Sequence, residues 1–151
     1  MNAEDIIEAL NRALAAELSA IEIYTAHARV IREPGVAQGV LAIRDVEQEH
    51  ARALAGRVRS LGGVPVPPGA PATVVGRAAG AVTTQLSTAD MLLLELSEEQ
   101  QAMIDYVASI AQIMDDYDTL DLLEEHLVDE MRHARWLKSQ IRAAQARPVA
   151  T

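Results

Sequence analysis

The sequence contains no cysteine and no phenylalanine, and only one tryptophan and three tyrosines occur among its 151 residues. The absence of cysteine excludes a disulfide scaffold, a thiolate metal site and a cysteine nucleophile. Aromatic residues are common in strands, whereas alanine, which occurs 27 times here, is the strongest helix former. The composition therefore predicts an all-α fold and argues against a β-sandwich or barrel.

Positive charge is also scarce, since 13 Lys and Arg face 22 Asp and Glu, for a net charge of −9. Nucleic-acid binding needs a basic face, so we expect no nucleic-acid partner. No apolar run reaches the ~18 residues of a transmembrane helix, and the acidic residues 1–5 do not resemble a signal peptide. We expect a single domain over residues 1–151, without a transmembrane segment and located in the cytoplasm.

Four long helices are predicted from the spacing of apolar residues and from the Pro and Gly pairs that interrupt it. They cover about residues 3–32, 36–61, 87–114 and 119–147. Residues 62–87, with Arg77 as their one charge, link the second and third helices and include an expected short helix over 78–86. A link this long can cross a four-helix bundle, so that the second and third helices run parallel. Covering the core, binding a partner or substrate, and touching a membrane are its alternative roles.

Acidic residues interrupt the apolar face of every predicted long helix near its middle. Burying a bare carboxylate costs several kcal/mol, so such a group must be paired or bind a metal. Arginines lie on other faces of these helices, and two divalent cations would cancel four buried negative charges. The two imidazoles lie one helical turn after a glutamate, which suits two ligands of one site. The residues concerned are Glu17, Glu47, His50, Glu99, Glu130 and His133.

The two halves of the chain repeat each other. Residues 17–24 match residues 99–106, and residues 46–54 match residues 129–137, with similar separations between the paired segments. Two helix hairpins of one design, related by an approximate two-fold axis, would meet around a central site. The repeat therefore predicts a metal centre between the hairpins.

The ligand on the third predicted helix is ambiguous because three glutamates compete. Glu99 repeats the position of Glu17, with a tyrosine seven residues later in both cases. Glu95 lies one turn away on the same face and is an additional or alternative ligand. Glu98 is rotated off that face, and we expect it to be solvated.

This set of residues resembles the ferritin-like di-iron carboxylate proteins, which include bacterioferritin, rubrerythrin and their small relatives. The resemblance covers nearly the whole chain and implies a ferritin-like four-helix bundle that binds two iron ions, with manganese as the alternative. It implies that Glu47 and Glu130 bridge the ions, that Glu17 and Glu99 are terminal ligands, and that the nitrogen ligands are His50 and His133.

The function implied by the resemblance is that of a small non-haem oxidoreductase that reacts Fe(II) with dioxygen or hydrogen peroxide, using an unidentified reductant. Hydroxylation of an organic, quinone-like substrate is one alternative. The other is a metal-binding interaction protein without turnover. Bacterioferritin has a haem-ligating methionine where this sequence has Gln48, so we expect no haem. A fifth helix does not follow the fourth, so we expect a homodimer rather than a 24-subunit cage.

Four further polar or aromatic residues lie near the predicted ligands. Tyr24 and Tyr106 each follow a predicted ligand by seven residues. Each is either a core tyrosine with its hydroxyl bonded to a polar neighbour, or a group that supports the metal centre, as a hydrogen-bond partner or redox-active phenol. His126 precedes Glu130 by one turn and is expected at the surface or beside the ligands. No special role is expected for His27.

Overall fold

The computed structural model describes residues 1–147, which form five α-helices and contain no strand. The helices are α1 (Ala3–Val30), α2 (Pro34–Ser60), α3 (Pro71–Thr83), α4 (Thr88–Ile110) and α5 (Tyr117–Ala146). The predicted all-α class is confirmed: α1, α2, α4 and α5 are the four long helices, and α3 lies within the predicted crossover. The predicted end of the domain, residues 148–151, lies outside the described residues.

Side-chain caps set three of the helix starts. The side chain of Asn2 accepts a hydrogen bond from the Asp5 backbone N–H at 2.9 Å, and the Asp5 carboxylate accepts one from the Asn2 N–H at 3.1 Å. Ser87 caps α4 in the same sense. Asp116 caps α5 by accepting from the Thr119 N–H at 3.1 Å. Because of this cap α5 starts at Tyr117, two residues before the predicted start, whereas α4 ends at Ile110, four residues before its predicted end. The connection therefore covers residues 111–116 and is longer than the predicted 115–118.

Two other boundaries differ from the prediction because proline begins a helix here. Pro34 and Pro71 occupy the first positions of α2 and α3. Proline is well suited to this position, since its missing N–H would have no intrahelical acceptor there. The crossover helix therefore covers Pro71–Thr83 instead of the expected 78–86, and α2 starts two residues early.

The crossover packs along α1 from one end of the bundle to the other. The Asn11 side chain donates to the Val64 carbonyl at 3.0 Å and accepts from the Val66 N–H at 2.8 Å. Further along, Gly76 lets α3 approach α1 closely: a Cβ at this position would lie 2.6 Å from the Ser19 carbonyl oxygen.

The crossover delivers the chain to the end of the bundle where α2 begins. The Thr88 hydroxyl, at the start of α4, donates to the Glu33 carboxylate just before α2. The helices α2 and α4 therefore run in the same direction, as predicted. Among residues 1–147, no helix combines the length and apolarity needed to cross a membrane.

The core consists of two apolar clusters with a polar layer between them. One cluster includes Val36, Leu92 and Leu137, and the other includes Leu10, Leu54 and Leu123. Along each long helix the chain passes from one cluster to the other through buried acidic residues, which on α2 and α5 are followed by a buried histidine. The polar layer is thus shielded from water on two sides by aliphatic side chains.

Candidate metal centre

All six predicted ligands lie in this polar layer, and each is at most 8% exposed. They form two groups whose ligand atoms lie within 4.8 Å of one another. The first group is Glu17, Glu47, His50 and Glu130, and the second is Glu47, Glu99, Glu130 and His133. Glu47 and Glu130 belong to both groups, which is the arrangement expected of carboxylates that bridge two ions.

In the first group, three carboxylates surround one imidazole nitrogen. His50 Nδ1 lies 3.1 Å from Glu130 Oε1, 3.3 Å from Glu47 Oε2 and 3.6 Å from Glu17 Oε1. His50 Nδ1, both carboxylate oxygens of Glu47 and Glu130 Oε1 are nevertheless buried without a hydrogen-bond partner of acceptable geometry. Buried polar atoms are normally hydrogen-bonded. Three of these atoms, His50 Nδ1, Glu47 Oε2 and Glu130 Oε1, converge on one space and fit a cation ligand set, while Glu47 Oε1 lies beside His133 in the second group.

The second group has the same design around His133. Its Nδ1 lies 3.0 Å from Glu47 Oε1, 3.2 Å from Glu99 Oε2 and 4.0 Å from Glu130 Oε2. Both histidines therefore direct Nδ1 at the carboxylates of their own group. The two groups share the symmetry of the sequence repeat.

The two tyrosines cross between the hairpins. Tyr24 on α1 donates to Glu99 Oε1 on α4 at 2.5 Å, and Tyr106 on α4 donates to Glu17 Oε1 on α1 at 2.5 Å. Burial, followed by the nearby carboxylates, raises the pKa of both phenols well above 10. Both hydroxyls therefore remain protonated donors that hold the outer carboxylates in place.

The carboxylates that belong to both groups are the hardest to ionise. Burial, with Glu17 as the nearest negative charge, raises the pKa of Glu47 well above its ordinary value. Burial and the contact with Glu99 raise the pKa of Glu130 to about 11. Burial opposes ionisation of Glu17 as well, but its close contacts with Glu47 and His50 lower its pKa. Without metal, the cluster therefore retains protons that divalent cations would displace.

The first group has two additional neighbours that the second group lacks in the described part of the chain. His50 Nε2 lies 3.2 Å from Asp129 Oδ2, so this carboxylate can accept its N–H and leave Nδ1 free to ligate. The ring of His126 stacks on His50 with centroids 3.8 Å apart, and its Nδ1 lies 3.3 Å from the Tyr106 hydroxyl. Burial and His50 lower the pKa of His126 to about 4, so it is neutral.

His126 is buried beside the ligands, one of the two places expected for it. Glu17, His50 and His126 also form a third group whose ligand atoms lie within 4.8 Å of one another. The position of His126 was readable from spacing, because it follows Leu123 by three residues and precedes Glu130 by four.

Sequence reasoning missed the position of His27, which is fully buried. Its Nδ1 lies 2.8 Å from Glu95 Oε1 on α4, and its Nε2 lies 2.7 Å from the Thr83 hydroxyl on α3. The signal was its spacing, three residues after Tyr24 and four before Ile31, which continues the buried face of α1. His27 therefore ties the crossover helix to the bundle.

The three glutamates of α4 occupy different places. Glu99 joins the second group, whereas Glu95 is buried against His27 and belongs to none of the groups found in residues 1–147. Burial raises the pKa of Glu95 to about 6. Glu98 is half-buried instead of fully solvated, and burial and Glu99 raise its pKa. Glu99 is the α4 residue that the repeat favoured.

Comparison with known families decides the affiliation of the chain. Residues 7–146 match the Ferritin family, described as a ferritin-like domain. The chain belongs to the ferritin-like domain family. The predicted resemblance is therefore confirmed, and the paired acidic groups are candidate metal sites of a ferritin-like protein.

Solved ferritin-like structures superpose on nearly the whole chain. A bacterioferritin-related protein from Bacteroides fragilis, a dodecameric thioferritin, is 21% identical with a TM-score of 0.79, covering 95% of this chain and 88% of that one. Rhodobacter capsulatus bacterioferritin, which has a dinuclear site and a haem iron, is 23% identical with a TM-score of 0.77, covering 96% and 88%. A variant of Mycobacterium smegmatis Dps1 is 19% identical with a TM-score of 0.75, covering 92% and 96%. At these identities the similarity establishes the fold alone.

Proposed function

We propose that this ferritin-like chain is a non-haem di-iron oxidoreductase that reacts Fe(II) with dioxygen or hydrogen peroxide. The observation that carries the proposal is the convergence of buried carboxylate and imidazole atoms that have no hydrogen-bond partner. Leaving such atoms without a partner costs several kcal/mol per charge, even after relaxation. Carboxylate-rich ligand sets with imidazole suit iron or manganese, and iron is the ion implied by the family.

The two groups suggest how the ligands divide. Glu17 and His50 would hold one ion, Glu99 and His133 would hold the other, and the carboxylates common to both groups would bridge them. Four carboxylates supply four negative charges, which two divalent cations neutralise. A pair of iron ions, when bound, supplies the two electrons that a dioxygen or peroxide bond needs.

The surrounding residues orient these ligands. The hydroxyls of Tyr24 and Tyr106 each hold one oxygen of an outer carboxylate, and on Glu99 the other oxygen, Oε2, lies 3.2 Å from His133 Nδ1. Asp129 accepts the Nε2 proton of His50, which fixes the tautomer that ligates through Nδ1. The aliphatic clusters pack against this layer on two sides.

Anaerobic titration with Fe(II), followed by stopped-flow mixing with dioxygen and separately with hydrogen peroxide, tests the proposal. We expect two iron ions per chain and rapid oxidation by at least one oxidant. Glu47→Ala removes a bridging carboxylate and should reduce both stoichiometry and rate, whereas the exposed Glu125→Ala should change neither. Absence of iron binding would overturn the proposal. Two bound ions without oxidation would instead support a metal-binding protein without turnover.

The remaining expectations for this chain stay predictions. These are the single domain over residues 1–151, the cytoplasmic location, the absence of haem and the homodimer. One similar structure is a dodecamer, so sedimentation velocity of the purified chain is the measurement that separates a dimer from a larger assembly.

A further inference from the structure

A cavity of about 210 Å³ lies between α1 and α4, beside the candidate metal centre. Glu17 and Tyr106 line its inner end, aliphatic residues such as Leu10 and Leu123 line its walls, and the exposed Arg12 lies at its mouth. A smaller cavity of about 40 Å³ on the same face also includes Glu17 and continues to the other three glutamates of the two groups. Two neighbouring cavities therefore share Glu17, an outer carboxylate of the first group.

The sequence repeat explains why the larger cavity exists on one side of the centre. Glu99 and Tyr106 follow Glu17 and Tyr24 by 82 residues each, so this offset relates α1 to α4. On the opposite side of the centre, the buried pair His27 and Glu95 and the buried Met91 fill the space between these helices. The residues at the corresponding repeat positions are all small and all line the cavity: Ser109, Ala13 and Ala9.

The cavity is thus a local departure from the repeat. Three larger side chains in one half correspond to three small ones in the other, while the ligands and tyrosines between them are kept. A packed core normally contains few voids larger than a water molecule. A void of this size that adjoins the candidate centre is therefore suited to a ligand.

The lining restricts the chemistry of that ligand. Most of the walls are alanine and aliphatic side chains, and the polar groups at the inner end are the Tyr106 hydroxyl and the Glu17 carboxylate. The carboxylates of Glu17 and the exposed Asp105 outnumber the one cation in the lining, Arg12, which is paired with Glu8, so the cavity disfavours an anion in a chain of net charge −9. An apolar cavity of about 150 Å³ is enough to hold benzene. The larger volume here admits a single ring with a short substituent.

We propose that this cavity binds a small, uncharged and mainly apolar organic molecule, with its polar group directed at Tyr106 and Glu17. Its role as a substrate rests on the proposed function, because the candidate metal centre supplies the chemistry at the inner end. Binding of the molecule does not depend on the proposed function, because the cavity is formed by protein side chains alone. The two can therefore be tested separately.

Calorimetric titration of the full-length, metal-free chain with 4-ethylphenol tests binding. We expect saturable binding at one site, and at least tenfold weaker binding of the anionic 4-ethylbenzoate. Ala13→Leu and Ser109→Leu fill the cavity from α1 and α4, so each should weaken binding at least tenfold. Ala42→Leu, an exposed position on α2 that does not line the cavity, is the matched control and should bind as the unsubstituted chain does.

Two results would overturn the proposal: no saturable binding to the unsubstituted chain, or unchanged affinity in a folded cavity-filling variant. Far-UV circular dichroism and the Fe(II) stoichiometry establish that each variant is intact. Because the substitutions are on different helices, one variant suffices if the other fails to fold. A chain that binds 4-ethylphenol but no iron would overturn the proposed function and support the cavity as a binding site. A chain that binds and oxidises iron but does not bind 4-ethylphenol would support the proposed function and overturn the cavity proposal.

Discussion

The stability of the metal-free protein should fall as the pH rises from 7 to 9. Glu47 and Glu130 ionise near pH 4.5 when exposed, but in the folded chain burial raises both pKa values, that of Glu130 to about 11. Within this window the folded chain therefore holds protons that the unfolded chain has released. The corresponding stabilisation is full below pH 4.5 and is lost as the pH rises towards the folded-state pKa.

One retained proton changes the free energy of unfolding by about 1.4 kcal/mol per pH unit. Between pH 7 and 9 the expected loss is therefore roughly 2.7 kcal/mol for Glu130, and the raised pKa of Glu47 adds to it in the same direction. His50, whose pKa is raised by the neighbouring carboxylates of Glu130, Glu17 and Glu47 despite its burial, acts in the same direction above pH 6.5. His126 acts in the opposite direction, but only between about pH 4 and 6.5, below the chosen window.

Urea unfolding followed by far-UV circular dichroism, in the presence of a chelator, measures this loss. Glu130→Gln removes one titrating carboxyl and should make the slope shallower by about 1.4 kcal/mol per pH unit. The exposed Glu125→Gln should keep the original slope. Bound metal should abolish most of the dependence, because the ligands are then ionised at both pH values. Equal unfolding free energies of the metal-free chain at pH 7 and 9 would refute the assignment of protons to this cluster.

Three further perturbations probe separate parts of the structure. Glu99→Ala should lower the iron stoichiometry from two towards one in anaerobic titrations, whereas Glu98→Ala should leave it unchanged. Loss of iron in Glu98→Ala but not in Glu99→Ala would mean that the repeat is misassigned. Tyr106→Phe removes the hydrogen bond to an outer carboxylate and should weaken metal affinity about 10- to 100-fold by competition with a chelator, and full affinity would show that the hydroxyl is dispensable. Gly76→Ala places a Cβ against the α1 backbone and should cost about 1–3 kcal/mol in urea unfolding. Gly56→Ala meets nothing within 4 Å and should stabilise by about 0.4–1 kcal/mol, so equal effects would contradict the close packing of α3.

The long helices and the acidic layer were predictable from sequence because both depend on local periodicity. Apolar spacing identifies a buried face, and an acidic residue in the middle of such a face is visible without any knowledge of its partners. Glu47 and His50 on α2, and their counterparts on α5, were found in this way. Their pairing across the bundle followed from the repeat.

Periodicity allowed a buried place for His27 and His126 without requiring it, and it could not identify the partner of Glu95. Spacings of three and four residues allow two sets of residues on one helical face. The sets assumed for the buried faces included Ala28 and Leu127 and left out the adjacent His27 and His126. Glu95 was correctly placed on the buried face, but its partner lies on another helix 68 residues away. Such a pairing depends on how the helices pack, so it could not be read from either helix alone.

The crossover illustrates a second limit. Its composition indicated a link with few charges, but the start of α3 depends on Pro71 and its docking depends on close backbone approach at Gly76. A glycine in a predicted loop is ordinarily interpreted as a turn residue, so its role in helix packing becomes visible only once the neighbouring helix is known.

The two halves of the chain are under different physical constraints, and this explains where the repeat is kept and where it is lost. The two candidate ligand groups have matching carboxylates and imidazoles, so these positions correspond across the repeat. The space between α1 and α4 beside the centre carries no such requirement. On one side, His27 and Glu95 fill it and connect the centre's surroundings to α3. On the other side, Ala13 and Ser109 leave it open beside Glu17. The open flank places a bound molecule beside Glu17 and Tyr106 of the candidate metal centre, and the cavity-filling variants test whether a small apolar molecule binds there.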